Sequence, residues 1–453
     1  MKKPRTTFFC QDCGHQSAKW LGRCPSCGAW NQCVEEEERI VPVSDSLEAW
    51  FNEDPLPINT ITADETDRLQ TGIAEIDRVL GGGIVGGSAI LIGGDPGIGK
   101  STLLLQVMQN LAASGVITLY VSGEESARQI KLRGGRIGAS SHNLMVLVEV
   151  SLENILRHID AMHPGIVVID SIQTVYSSAI TSAPGSVSQI KEASGKLILM
   201  SKKTGIPLFL IGHVTKEGSI AGPRVLEHMV DTVLYFEGDQ GHAFRIIRNV
   251  KNRYGPTNEI GVFEMGEQGL IEISNPSALF LSERPKGTAG SVVVPSMEGT
   301  RPLLVEIQSL VSENTFGIPR RTTIGVDHNR VSLLAAVMEK VCGFHLGNHD
   351  IFINVAGGVK LDEPAVDLGI VSSLTSSFLN RPIDAGTLVC GEVGLTGEVR
   401  SVGRLDERIK EGSRMGFTRC ILPATSSGDT LPEMKMTRVP IDTIKDLTES
   451  LFV

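Results

Sequence analysis

Two sets of residues in this chain have types and spacing suited to chemistry. The first is Cys10, Cys13, Cys24 and Cys27, two CxxC pairs with ten residues between them. Gly14 and Gly28 follow the second cysteine of each pair and let the backbone turn beneath the sulfurs. Four thiolates fill the tetrahedral shell of Zn²⁺ and leave no open position, which is the donor set of a structural site. A module of about 30 residues is too small to hold itself together by core burial, so metal binding would supply its folding energy. His15 and Cys33 fall outside the spacing and read as bystanders.

The second set is a phosphate loop. Gly94, Asp95, Pro96, Gly97, Ile98, Gly99, Lys100 and Ser101 fit GxxxxGK[ST], after the apolar run Ala89-Ile90-Leu91-Ile92-Gly93 and before a helix opening at Thr102. In that setting loop amides cradle phosphates, Lys100 neutralises the β- and γ-phosphates of ATP, and Ser101 ligates Mg²⁺. Ile166-Val167-Val168-Ile169-Asp170 is an apolar strand ending in a carboxylate, which makes Asp170 the second Mg²⁺ residue. Leu119 to Ser122 leads into Gly123-Glu124-Glu125. Glu124 is the expected orienter of the attacking water, with Glu125 as its alternative. His213 ends the run Pro207 to Gly212, placed to contact the γ-phosphate.

These residues need a scaffold whose strands end side by side. Ala89–Gly93, Ile117–Ser122, Ile166–Asp170, Pro207–Gly212 and Thr232–Phe236 are strand-like runs separated by helix-like stretches, the pattern of a parallel α/β sheet. The expected organisation is a cysteine module over residues 1–33, an acidic and proline-bearing linker over 34–66, an α/β ATPase domain over 67–275, and a further α/β domain over 286–453. The linker reading rests on Glu35 to Glu38 followed by Pro42, Pro55 and Pro57.

Composition bounds these readings. At 453 residues, with 41% hydrophobic and 21% charged residues, the chain is an ordinary packed globular protein of about three domains. A formal net charge of −10 excludes a chain-wide basic field, so any nucleic-acid contact must come from a local patch or the inner face of an assembly. No window has the length of a membrane-spanning helix; the nearest candidate, residues 79–94, is broken by glycines. Met1-Lys2-Lys3-Pro4-Arg5 is followed by cysteines and not by the apolar core of a signal peptide, so the expectation is a cytosolic protein. Four of the eight cysteines lie between Cys10 and Cys27, which favours metal over a disulfide framework.

The cysteine pairs, the P-loop, the segment Gly212-His213-Val214-Thr215-Lys216 through Ala221-Gly222-Pro223, and Lys251-Asn252-Arg253-Tyr254-Gly255 together resemble the bacterial RadA (Sms) family over essentially the whole chain. The resemblance implies a RecA-like P-loop ATPase using ATP, Mg²⁺ and Zn²⁺. It implies a hexameric ring on single-stranded DNA, similar to the replicative helicase DnaB, that drives branch migration of recombination intermediates alongside the RecA recombinase. In such a ring Lys251 and Arg253 would enter a neighbour's ATP site. Lys191, Lys202, Lys203, Lys216 and Arg224 would offer phosphate contacts from channel-facing segments, without reading bases.

The C-terminal zone resembles the Lon protease domain through Asn354–Val359, Pro364–Ile370, Gly391–Val399 and Gly416–Pro423. Lon enzymes pair a serine nucleophile with a lysine. Those positions fall here at Asp367 and near Asp406, and Ser372 and Ser373 lie a helical turn away. A scaffold without proteolysis is therefore expected. The competing functions are an ATP-dependent protease and a RecA-like ATP-driven switch without motor activity.

Overall fold

The computed structural model describes residues 5–10, 16–26, 28–38, 57–60, 68–212, 225–238, 244–314, 317–424 and 436–452. It divides into two units, Met1–Ile273 and Ser274–Val453.

The first unit begins with three antiparallel strands, β1 (Arg5–Cys10), β2 (Gln16–Ser17) and β3 (Cys33–Glu38), in the order β2-β1-β3. Cys10 stands opposite Cys33, and Arg5 opposite Glu38. This corrects the expected boundary at residue 33. The acidic run Glu35 to Glu38 is the closing strand of the N-terminal sheet, and backbone pairing with β1 accounts for four successive glutamates in an extended segment.

The ATP-binding part opens with β4 (Arg68–Leu69), α1 (Ala74–Val79) and β5 (Ile84–Val85). It continues through β6 (Ala89–Gly94), α2 (Lys100–Ala113), β7 (Thr118–Ser122), α3 (Ala127–Arg136), β8 (Leu144–Val148), α4 (Leu152–Met162), β9 (Ile166–Asp170), α5 (Val187–Thr204) and β10 (Leu208–Ile211). Next come α6 (Val225–Met229), β11 (Thr232–Glu237), β12 (Phe244–Asn252), β13 (Ile260–Gly266) and β14 (Gly269–Glu272). Strands β6 to β14 form one sheet in the order β14-β13-β12-β11-β6-β10-β9-β7-β8, and β4 pairs with β5 separately. From β11 to β8 the pairing is parallel, as the apolar runs require. The three strands β12 to β14 add an antiparallel extension that the sequence reading did not contain.

Alternation along the strands builds two cores. Ile90, Ile92, Tyr120, Val168 and Phe209 face Leu103, Leu104 and Met108 of α2. Ala89, Leu91, Leu119, Val121, Val167 and Leu208 face Ile155 of α4 and Ile190 and Leu197 of α5. The period of two sends neighbours to opposite faces, and helices cover both.

The second unit holds α7 (Pro276–Phe280), β15 (Ser291–Glu298), β16 (Arg301–Glu313), β17 (Arg321–Ile324), α8 (His328–Cys342), β18 (His349–Val355), α9 (Asp367–Phe378) and β19 (Thr387–Val389). Then follow β20 (Glu392–Val393), β21 (Val399–Arg400), α10 (Leu405–Arg414), β22 (Arg419–Pro423), β23 (Thr437–Ile441) and α11 (Ile444–Leu451). Its main sheet runs β17-β18-β16-β15-β19-β22-β23. Residues 276–285, left between the two expected domain ranges, supply α7, whose Phe280 is buried. On β15, Val293 joins the cluster containing Ile409 of α10, while Val294 meets α9 on the other face. Gly369 lets α9 approach, because a Cβ there would lie 2.1 Å from the Val294 methyl.

Candidate active site

β6 delivers the phosphate loop. Its residues are all buried, and the chain turns at Gly94 (φ 152°), where a Cβ would sit 2.5 Å from the Phe236 carbonyl oxygen. Asp95, Pro96 and Gly97 are exposed, Ile98 is buried, and Gly99 (φ 118°) starts α2. Lys100 is buried beneath the loop and donates from Nζ to the carbonyls of Gly94 (2.6 Å) and Asp95 (2.9 Å). Burial pushes its pKa down, against the opposing pull of Asp170, Asp95 and Glu124. Ser101 and Thr102, both half-buried, form the first turn of α2.

One strand, β10, separates β6 from β9. β9 ends at buried Asp170, directly opposite Ser122 of β7. Past those ends, Gly123 N–H donates to the Asp170 carbonyl (2.9 Å), and the Ser171 hydroxyl donates to the Glu124 carboxylate. Glu125 instead pairs with Arg133 (2.8 Å). The two glutamates are thus distinguished: Glu124 is exposed beside Lys100 and Asp170, whereas Glu125 is tied to α3. His213, two residues past the end of β10, lies outside the described residues, as do Lys216 and Arg224.

Tyr120 donates its phenol to Asp170, one of the two residues meant to hold Mg²⁺. The Ser101 hydroxyl and the Asp170 carboxylate are hard oxygen donors of the kind Mg²⁺ takes. Burial first, then the Asp170 charge, pushes the Tyr120 phenol well above its ordinary pKa, so it remains a neutral donor. Tyr120 and Arg133 were missed from sequence; a tyrosine in an apolar strand reads as core.

Lys251 and Arg253 lie at the other end of the sheet. β12 runs antiparallel to β11, and Thr232 pairs with both Asn252 and Ile90. Arg253 N–H donates to the Asp231 carbonyl (3.1 Å), and Asp231 N–H to that of Ala89 (2.9 Å). From Ala89 to Gly94 a strand rises roughly 16 Å, so these cations are far from their own P-loop. Lys251 differs from the expectation of a free phosphate ligand. Its Nζ donates to the carbonyls of Glu227 (2.7 Å), His228 (3.3 Å) and Val230 (2.8 Å), closing the end of α6. Those acceptors use all three ammonium donors. Arg253 keeps 57% of its side chain exposed and touches Asp231 at 3.3 Å. Lys202, expected at DNA, is also committed here, to Asp231 and Tyr254. With Lys203 it occupies the last turn of α5, beside the start of β6 and away from the strand ends that carry the ATP site. Lys191, in the first turns of α5, is exposed.

At the N-terminus, Cys10 and Cys24 are buried in one cluster with Cys33, Phe8 and Leu21. Two thiols brought together in this way suit Zn²⁺, which takes thiolate donors. Cys13, Cys27 and His15 lie outside the described residues. Cys33, read as a bystander, is packed against this pair.

In the second unit Asp367 is fully buried. Arg330 Nε donates to Oδ1 at 2.8 Å, Nη2 bonds Oδ2, and Val393 N–H donates to Oδ2 at 3.2 Å. Ser372 and Ser373, also buried, donate to the carbonyls of Leu368 and Ile370 within α9. Asp406 is exposed in the first turn of α10. No nucleophile–lysine pair occupies these positions.

A glycine loop on a buried parallel strand, a lysine beneath it and a carboxylate on the next strand but one define a P-loop ATPase. Residues 53–219 match the AAA domain family, residues 8–35 the rubredoxin metal binding domain, and residues 331–453 the Lon protease (S16) C-terminal proteolytic domain. The chain is 56% identical to the DNA repair protein RadA of Bacillus subtilis (strain 168) over 440 residues, 96% of each chain. It is 51% identical to that of Halalkalibacterium halodurans over 452 residues, 99% of each. It is 52% identical to that of Listeria monocytogenes serovar 1/2a over 449 residues, 98% of this chain and 97% of the relative. The chain belongs to the RadA family of DNA repair proteins. Among the described residues no helix is long and apolar enough to cross a membrane.

Proposed function

We propose that this ATPase is DNA-dependent and acts in the cytoplasm in recombinational repair. It works as a homohexameric ring on single-stranded DNA and promotes branch migration of recombination intermediates together with the RecA recombinase. The observation that carries the ring is the placement of Arg253: exposed, and a whole strand length from its own P-loop. A cation there meets a γ-phosphate only across an interface, as an arginine finger does.

Within one site the labour divides as follows. Gly94 to Thr102 wrap the phosphates, and Lys100 leaves the Gly94 and Asp95 carbonyls to neutralise the β- and γ-oxygens. Ser101 and Asp170 would hold Mg²⁺, which supplies charge for the leaving phosphate. Glu124 orients the water, held by Ser171. His213 contacts the γ-phosphate and passes its loss to the segment that follows. The neighbour contributes Arg253, and Lys251 fixes the turn that presents it.

Single-stranded DNA is expected to raise ATP turnover severalfold, with a Lys100→Ala chain as the blank. Turnover indifferent to saturating DNA would favour an ATP-driven switch. The Zn²⁺ reading has its own test. Serine at Cys10, Cys13, Cys24 and Cys27 together is expected to remove the metal while the ATP-binding part, with its own two cores, keeps its melting transition. Zinc retained in the fourfold variant would refute the thiolate site.

A further inference from the structure

Tyr120 is fully buried on β7, on the face covered by α2 and among apolar neighbours such as Leu104 and Val168. A phenylalanine would serve that packing, and a hydroxyl placed there is costly unless it is paired. It is paired on both sides. The phenol donates to Asp170 Oδ2 and accepts from Arg133 Nη2 at 3.1 Å. Arg133 reaches in from α3 with its guanidinium 5.9 Å from the ring centroid, Nη2 4.0 Å from Asp170 Oδ2, and Nη1 2.8 Å from Glu125 Oε2. Only 12% of its side chain is exposed.

We propose that Tyr120 and Arg133 are positioning residues for the Mg²⁺ of this ATPase. The Tyr120 hydroxyl holds the Asp170 carboxylate, and Arg133 ties that hydroxyl to Glu125, beside Glu124 in the segment after β7. Neither residue touches phosphate. Their effect is to fix the Asp170 carboxylate before the nucleotide arrives. Groups that hold a metal's ligands from behind set its affinity, and losing one costs about 10- to 100-fold.

The inference rests on Ser101 and Asp170 as the Mg²⁺ residues, and the test separates the two claims. Binding of a fluorescent ATP analogue to the full chain is titrated with Mg²⁺, and repeated in EDTA. In Tyr120→Phe the Mg²⁺ midpoint is expected to rise about tenfold, while affinity in EDTA and the melting temperature without nucleotide stay near those of the parent. Arg133→Lys keeps the charge but loses the fork that spans Tyr120 and Glu125, and its midpoint should move the same way. If Tyr120→Phe does not fold, Arg133→Lys carries the test alone. Midpoints within about twofold of the parent overturn the proposal, since loss of a group behind a metal ligand costs at least tenfold. Equal losses with and without Mg²⁺ also overturn it, because they mark general damage to the site. A parent whose binding ignores Mg²⁺ would instead overturn the assignment of Ser101 and Asp170.

Discussion

A Lys100→Ala chain should fold and yet turn over ATP at most at a trace of the parental rate. Lys100 is the cation whose Nζ lies under the loop, within reach of both the Gly94 and Asp95 carbonyls. Removing one preorganised charge from a phosphoryl-transfer site costs about 10²- to 10³-fold. The stability cost should be small, about 1 kcal/mol for the lost hydrogen bonds. The carbonyls left behind adjoin exposed Asp95, Pro96 and Gly97, so water can reach them. Phosphate release and thermal melting measured on one preparation check both halves. Turnover at the parental rate would mean that ATP is hydrolysed elsewhere.

The second large effect is on stability. Arg330→Ala leaves Asp367 fully buried with Val393 N–H as its remaining hydrogen-bond donor from the cluster described above. Breaking a buried pair by removing one partner costs about 3–5 kcal/mol. Arg330 is itself one-third exposed, so the lower figure applies. For a unit the size of Ser274–Val453, 3 kcal/mol lowers the melting temperature by roughly 6–12 °C. Replacing both residues by apolar ones, Arg330→Met with Asp367→Leu, should recover most of that loss. Additive losses in the double variant would mean that the ion pair contributes nothing beyond its separate side chains.

The same pair shows where sequence reading stops. Asp367 at the position of the Lon nucleophile was legible from local motifs, and so was the absence of a serine there. Its partner was not, because Arg330 is 37 residues away on another helix and nothing local marks it. The parallel strands were legible because continuous apolar runs ending in Gly94 or Asp170 have few other readings. β8 was not: it is a half-exposed edge strand, and its five apolar residues lack polar alternation. β12 was missed for the opposite reason, since Arg245, Arg248 and Lys251 dilute its apolar signal. Lys251 was read with Arg253 as a cation for a neighbour's ATP site. Its cis partners are backbone carbonyls, which no sequence pattern displays. Glu35 to Glu38 read as linker because charge runs usually do, and only pairing with β1 makes them a strand.

Mixing two defective chains tests the proposed sharing of the ATP site between subunits most directly. Arg253→Ala lacks the finger and keeps the P-loop; Lys100→Ala lacks the P-loop lysine and keeps the finger. Each alone is expected to bind its neighbours and hydrolyse almost nothing. In mixed rings at equal ratio, about a quarter of the head-to-tail interfaces combine an intact P-loop with an intact finger. Turnover should therefore return to roughly that fraction of the parental rate. No recovery, in rings shown to contain both chains, would contradict a site completed by Arg253 of a neighbour.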